Sequence, residues 1–356
     1  MAAINSQVRM VFDLNKCLGC QTCTSACKSM WTDGNQGQMY MFWNNVENQP
    51  GRGYPKNWQT LGGGFDACGN QLRASGLPSI NQDYGAPWEY NFEQVLMTEG
   101  GSARAGLLVP SPTPAAPNDY ASNWEEDVGT GTYPNSYYFY LPRICNHCSQ
   151  PACVAACPRR AVYKREEDGI VLVDPTRCRG YRHCVRACPY KKIYYNPLEK
   201  ISQKCIFCYP RVEAQQPGET TQQFLARQGG NFCVTQCVGR IRYTGYAEDL
   251  TSSVYKLVEV WRVALRLHPE FGTEPNTFYI PPLSPPVQGG TGQRIPVDLL
   301  ANLFGDHCAQ THAQRVARIQ EVFSILEGER ARVAGGGTSE LITILTAYAE
   351  DDRIQT

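Results

Sequence analysis

Apolar residues recur most regularly near the end of the chain, where Val316, Ile319, Val322, Phe323 and Leu326 follow one another at three- and four-residue steps. On a helix such steps form one stripe, so an amphipathic helix is expected, its stripe serving the core or, less commonly, a subunit contact. Upstream, VYKLVEVWRVALRL (254–267) suits a helix or a buried strand, and GTEPNTFYIPPLSPP (272–286) an extended arm able to lie on another surface. AVYKREEDGIVLVDPTR (161–177) predicts a strand, a turn and a strand. Between residues 31 and 139 periodicity fades: GRGYPKNWQTLGGGF and LLVPSPTPAAPNDYASNW are rich in Gly, Pro, Asn and aromatics, which predicts a loop-rich insertion. Trp43, Trp58, Trp88 and Trp124 make it ordered covering rather than linker.

No stretch reaches the roughly 18 uninterrupted apolar residues of a membrane helix; even LVEVWRVAL (257–265) carries Glu259 and Arg262. The expectation is a soluble or peripheral chain with no direct membrane span. The N-terminus lacks a basic segment followed by an apolar run, and the Arg159-Arg160 pair is internal, so no secretory signal is expected and any export needs a carrier. At 356 residues and 42% hydrophobic content, the chain can fill two or three packed units. Lys plus Arg and Asp plus Glu both number 33, so no basic excess points to nucleic acid.

Seventeen cysteines change the picture, because their grouping in short runs argues for metal rather than disulfides. The first run, CLGCQTCTSAC, holds Cys17, Cys20, Cys23 and Cys27 in the C-x2-C-x2-C-x3-C spacing of bacterial ferredoxins, with Lys28 in place of the trailing proline. The second, CNHCSQPACVAACP, holds Cys145, Cys148, Cys153 and Cys157, its middle gap widened to four residues. The third, CRGYRHCVRACPY, supplies Cys178, Cys184 and Cys188 but has Tyr181 where the second cysteine belongs. The fourth opens with Cys205 and Cys208 and closes, after 24 residues, with Cys233 and Cys237.

A cubane presents several irons at once, so closely spaced thiolates on one loop can each reach a different iron. The last cysteine of a run lies in the following helix and ligates the neighbouring cluster, so runs work in pairs. Only 20 residues separate Cys157 from Cys178, which pairs runs two and three and leaves runs one and four as partners. One 4Fe-4S cluster then takes Cys17, Cys20, Cys23 and Cys237, and a second takes Cys27, Cys205, Cys208 and Cys233. A third takes Cys145, Cys148, Cys153 and Cys188. Cys157, Cys178 and Cys184 remain for a fourth site with only three thiolates. A corner iron without a soft ligand is easily lost, so that site is expected to hold a 3Fe-4S cluster, with Tyr181 a non-ligand filling the missing-iron corner. Cys68 and Cys308 are left as bystanders.

Zinc is the bland alternative, since paired CxxC units also mark zinc ribbons, but ribbons need neither the third and fourth cysteines at this spacing nor the proline. His147 and His183 are expected to hydrogen-bond near the ligands or to lie at the surface, because the cysteine count suffices without them. His307, Cys308 and His312 are read as incidental. Arg177, Arg179, Arg182, Arg186, Lys191 and Lys192 put positive charge around the third run, either offsetting thiolate clusters or forming a solvated face.

The expected fold class is α+β. Residues 5–30 with 198–245 would form one ferredoxin-like module and residues 140–197 the other, in pseudo-twofold relation. Residues 31–139 are the insertion, and 246–356 a C-terminal extension of arm and helices for subunit contact. No P-loop, dinucleotide fingerprint, serine elbow or open metal site is present in the sequence, so the chain should move electrons and carry no catalytic residue.

The four runs, their order, the aromatic residue in run three, and the phrases CRGYRHCVRACPY and FGTEPNTFYIPP resemble the iron-sulfur beta subunit of type II molybdoenzymes of the dimethyl sulfoxide reductase family. That group includes ethylbenzene and dimethyl sulfide dehydrogenases and selenate, chlorate and nitrate reductases. The likeness spans nearly the whole chain and looks nearest to the ethylbenzene dehydrogenase type. It implies an alpha subunit with a molybdenum bis-guanine-dinucleotide cofactor and one further cluster, and a gamma subunit with haem b. It also implies a 3Fe-4S cluster toward the haem, so that the centres run from the Cys17 cluster through the Cys205 and Cys145 clusters to the Cys178 site. The soluble branch of the family is exported folded by a signal on alpha, which implies a periplasmic chain; a cytoplasmic complex is the alternative. The chain is shorter than membrane nitrate reductase beta subunits, and its Cys208–Cys233 loop is longer than the family pattern. The rival reading is an electron-transfer subunit of a formate-dehydrogenase or hydrogenase-type complex, or of a membrane nitrate/nitrite oxidoreductase. The formate-dehydrogenase and hydrogenase types differ by a full cysteine set in run three and usually a membrane tail.

Overall fold

The computed structural model describes residues 6–32, 37–73, 76–80, 82–84, 89–90, 110–111, 129–211 and 230–347. The principal elements of the first half are β1 (Val8–Asp13), α1 (Thr22–Trp31), β2 (Asn45–Gln49), β3 (Phe139–Arg143), α2 (Ala152–Ala155), β4 (Val162–Lys164) and β5 (Val171–Val173). Then come α3 (His183–Ala187), β6 (Ile193–Asn196), β7 (Ile201–Lys204), α4 (Phe232–Thr235), β8 (Arg242–Tyr246) and α5 (Ser253–Tyr255), which runs into a π-helical turn at Lys256–Val260. The chain closes with β9 (Leu265–Leu267), β10 (Thr277–Ile280), α6 (Val297–Leu303), β11 (Phe304–Gly305), α7 (His312–Ala334) and α8 (Glu340–Thr346).

Strand β1 reads VRMVFD, with five of its six residues buried, so it belongs inside a sheet rather than at an edge. It pairs antiparallel with β8, Val8 opposite Tyr246, and parallel with β10, Met10 opposite Thr277. The resulting five-stranded sheet has the order β8-β1-β10-β9-β11. The first cysteine run leaves one end of β1 and the fourth enters β8, so the sheet draws these distant runs together; α1 packs on α4 there. In the same way α2 packs on α3, joining runs two and three. The segment 161–177 forms the β4–β5 hairpin with Val162 opposite Val173. A second hairpin, β6–β7, straddles residues 197 and 198, so the boundary drawn there falls inside a tight connection.

VYKLVEVWRVALRL contains both structures its pattern allowed: α5 with its π-turn, then β9, with Leu257, Val263, Leu265 and Leu267 buried. The Pro-rich arm contributes β10 to the sheet and then lies along the start of the chain, where Asn15 donates to the Pro281 carbonyl (3.2 Å) and accepts from the Leu283 amide (2.8 Å). In the described part of the insertion, Trp43 and Trp58 are buried; Trp88 and Trp124 lie outside the described residues. Trp58 donates to Glu47 (2.9 Å), and Glu47 pairs with Arg143 (2.9 Å), whose guanidinium lies 3.8 Å from the Trp58 ring centre. Arg143 also donates to the Tyr54 and Tyr190 carbonyls, so one buried cation ties the insertion to runs two and three.

Helix α7 begins at a capping box between Thr311 and Gln314. Its stripe is core: Ile319, Val322 and Leu326 are fully buried and Phe323 nearly so, with Val316 packed at the margin. Leu326→Ala should destabilise the protein by about 2–5 kcal/mol, lowering its urea midpoint; an unchanged midpoint would contradict this packing. No helix among the described residues is long and apolar enough to cross a membrane.

Candidate metal centres

The cysteine loops share a backbone device. In the C-x-x-C unit that opens runs one, two and four the residue before the second cysteine is left-handed: Gly19 (φ 65°), His147 (φ 42°) and Phe207 (φ 56°). Gly180 (φ 68°) holds the same place in run three, so Tyr181 follows the turn where the other runs have Cys20, Cys148 and Cys208. At Gly19 a side chain has no room, since a Cβ would fall 2.4 Å from the Tyr140 ring. A second turn recurs after the last cysteine of runs two, three and four, where the left-handed Arg160, Lys191 and Arg240 return an N–H to the cysteine carbonyl. Run one lacks that turn because α1 continues through Lys28; a proline there would interrupt the helix. Lys28 instead donates to the carbonyls of Gln38, Met39 and Met41, joining the run to the insertion.

Among the described residues no three His, Cys, Asp or Glu side chains are grouped as a single-ion site. The cysteines, all free, share wider spaces. Cys145, Cys148, Cys153 and Cys188 line one cavity. Cys27, Cys205, Cys208 and Cys233 line another. Cys23 and Cys237 act electrostatically on Cys17, with Cys20 exposed in the same loop. Cys157 and Cys178 act on Cys184. Burial, then mutual repulsion, pushes the thiols of Cys148 and Cys205 up to about 12 and Cys27 and Cys153 well above the ordinary thiol range; Cys17 also rises to about 12 and Cys184 to about 11. Thiolates gathered in such spaces need a positive core to stabilise them.

Buried polar atoms around these spaces fit an iron-sulfur core. Arg242 is fully buried; its Nη2 donates to Cys23 Sγ (2.9 Å), while its Nε and Nη1 have no hydrogen-bond partner. Burial alone would lower its pKa, but Cys23, Cys233, Cys237 and Cys17 outweigh burial and raise it. Trp43 lines the Cys27 cavity with an unbonded Nε1, Trp31 donates to Cys208 Sγ (3.3 Å), and Asn146 lines the Cys145 cavity with an unbonded amide. Bridging sulfides would accept from such donors, and hydrogen bonds to sulfur set cluster potentials. When bound, clusters of this kind take up and release single electrons.

The six cations near run three separate into two kinds. Lys191 and Lys192 are buried and hold carbonyls: Lys191 donates to Gly62 and Arg186 (both 2.8 Å), and Lys192 to Phe42 and to the Asn45 side chain. Arg177, Arg179, Arg182 and Arg186 are exposed. Tyr181 is 58% exposed, its ring 6.4 Å from that of His183. His147 is buried, accepts at Nδ1 from the Val171 amide (3.0 Å) and meets Phe207 edge-on. Cys68 and Cys308 are exposed and outside every group, and His312 pairs with Asp298 at the surface (3.0 Å). Sequence reasoning missed Arg242, Trp31 and Ser202, which bonds both Cys178 and Cys184, because each reaches its sulfur from a remote segment.

Residues 136–247 match the 4Fe-4S dicluster domain family. Over nearly its full length the chain is 49% identical to the dimethylsulfide dehydrogenase subunit beta of Rhodovulum sulfidophilum, covering 97% of each chain. It is also 49% identical to the selenate reductase subunit beta of Thauera selenatis, covering 98% of each. The respiratory nitrate reductase 2 beta chain of Escherichia coli is 35% identical, over 85% of this chain and 76% of its own. By these likenesses the chain belongs to the family of iron-sulfur beta subunits found in dimethylsulfide dehydrogenase and the selenate, nitrate, chlorate and perchlorate reductases.

Proposed function

We propose that the chain is the electron relay of a heterotrimeric molybdenum oxidoreductase, holding three 4Fe-4S clusters and one 3Fe-4S cluster between a molybdenum alpha subunit and a haem b gamma subunit. The beta subunits it resembles support an alpha partner, which sets the substrate; this chain contributes no catalytic residue. The observation that carries the relay is that each thiol group adjoins the next. Cys233 feels Cys23 of the first group, Cys205 feels Cys145 of the third, and α3 holds Cys184 of the fourth one turn before Cys188 of the third. The paired helices α1/α4 and α2/α3 support two ferredoxin-like modules in pseudo-twofold relation. The complex we propose is periplasmic, exported folded with its alpha subunit, and cell fractionation that found it in cytosol would overturn that reading.

Anaerobic purification of the complex, with metal analysis and low-temperature paramagnetic resonance during a potential titration, tests the relay. A three-iron signal in the oxidised sample and several 4Fe-4S signals on reduction are expected. Zinc in place of iron would end the proposal, and 4Fe-4S signals alone would favour the formate-dehydrogenase type.

A further inference from the structure

The second and third thiol groups meet across a buried seam. Their C-x-x-C turns touch there: His147, of the Cys145–Cys148 turn, lies edge-on to Phe207, of the Cys205–Cys208 turn, with ring centroids 5.1 Å apart. Both side chains are buried. Beside them stands Lys204, the last residue of β7, which the β6–β7 hairpin sets opposite Ile193. Lys204 is 2% exposed, and its Nζ donates to the carbonyl of Cys205 (2.6 Å) and to that of Val171 on β5. Cys205 lines the second cavity and Val171 the third, so one ammonium is anchored to the walls of both. Both acceptors are neutral carbonyls, and among the described residues Lys204 forms no ion pair that would cancel its charge.

We propose that Lys204 is the junction charge of the second and third centres, stabilising an added electron on either of them; the proposal rests on the relay reading above. Transfer across the seam moves one electron and no proton: one centre is oxidised as its neighbour is reduced. Two negative centres this close raise each other's energy, and Cys145 of the third set is within electrostatic reach of Cys205 of the second. A cation between them offsets that repulsion. Being buried, it is screened by salt much less than an exposed charge would be. Its charge acts on Cys205 before any other does, and it also reaches Cys153 of the third set. Lys164, by contrast, serves one set alone. Its Nζ holds the carbonyls of His147 (3.2 Å) and Cys148 (3.1 Å), with Gln7 and Gly169 (both 2.7 Å) completing the cage. A neutral donor could tie β7 to β5 as Lys204 does, so the bonds and the charge are separable.

The test uses the complex purified without oxygen, its centres followed by low-temperature paramagnetic resonance during a potential titration. Lys204→Gln keeps a donor and removes the charge. At the potential that half-reduces the second centre in wild type, this variant should lower its reduced-to-oxidised ratio about tenfold, ~59 mV for a one-electron couple. The ratio of the third centre should fall in the same direction by a smaller factor, while the first and the three-iron centres stay within about twofold of wild type. Lys204→Met should shift the same two centres and serves if the Gln variant loses a cluster; Lys204→Arg, which keeps the charge, should restore both. Unmoved potentials in the Gln and Met variants would make Lys204 a tie between strands and overturn the proposal. A shift of the second centre alone, an equal shift of all four, or an Arg variant displaced as far as Met would overturn it equally. A wild-type complex with no iron-sulfur signal that responds to potential would instead overturn the relay reading itself.

Discussion

With the proposed three 4Fe-4S clusters and one 3Fe-4S cluster, Tyr181→Cys should add one iron to the chain, ~16 in place of ~15, and abolish the three-iron signal expected of the oxidised protein. The left-handed Gly180 turns the backbone as Gly19, His147 and Phe207 turn it in the other runs, so a cysteine at 181 starts from the place where Cys20, Cys148 and Cys208 stand. The half-exposed ring leaves solvent access for iron to enter without repacking the core. A thiolate supplies the soft ligand whose absence lets a corner iron leave, and the added negative ligand should lower the potential of that centre. Tyr181→Phe serves as the control: it keeps the ring and supplies no ligand, so iron content and signal should stay as in wild type. Unaltered iron content and resonance in Tyr181→Cys would refute the role given to Tyr181.

The parts legible in the sequence are those set by local spacing. The stripe from Val316 to Leu326 is periodic within one helix, and it is buried as such a stripe should be. Short gaps between cysteines likewise place thiols on one loop, and in the structure Cys145, Cys148, Cys153 and Cys188 line one cavity and Cys27, Cys205, Cys208 and Cys233 another. What was not legible depends on contacts between remote segments. The parallel pairing of β1 with β10 joins residues more than 260 positions apart, and no local pattern announces it. Lys191 and Lys192 look like a solvated pair in sequence, yet backbone carbonyls from the insertion and run three make their burial tolerable. The left-handed residue in the C-x-x-C loops of runs two and four was also hidden, because histidine and phenylalanine occupy a place where glycine would have signalled it.

Arg242→Met should lower the midpoint potentials of the first two centres together, on the order of 100 mV, by removing roughly 2 kcal/mol of attraction between a full charge and a redox group ~7 Å away at an effective dielectric constant of about 20. Arginine stays protonated at any working pH, so its charge is constant and favours the electron-rich state of whatever the sulfurs hold. Its position makes the effect joint: it donates to Cys23 of the first set and is drawn by Cys233 of the second as well as by Cys237 and Cys17. Strand β8 fixes it there, with Phe12 opposite in register and the Phe12 ring 4.6 Å beneath its guanidinium. Arg242→Lys separates charge from shape: it keeps the cation but loses the planar fork, so the potentials should recover most of the shift even where hydrogen bonds to sulfur are lost. Potentiometric titration followed by paramagnetic resonance reads both variants, and the three-iron signal at the far end should not move. A methionine variant that holds every centre at its wild-type potential would show that Arg242 fills space without acting on the electron.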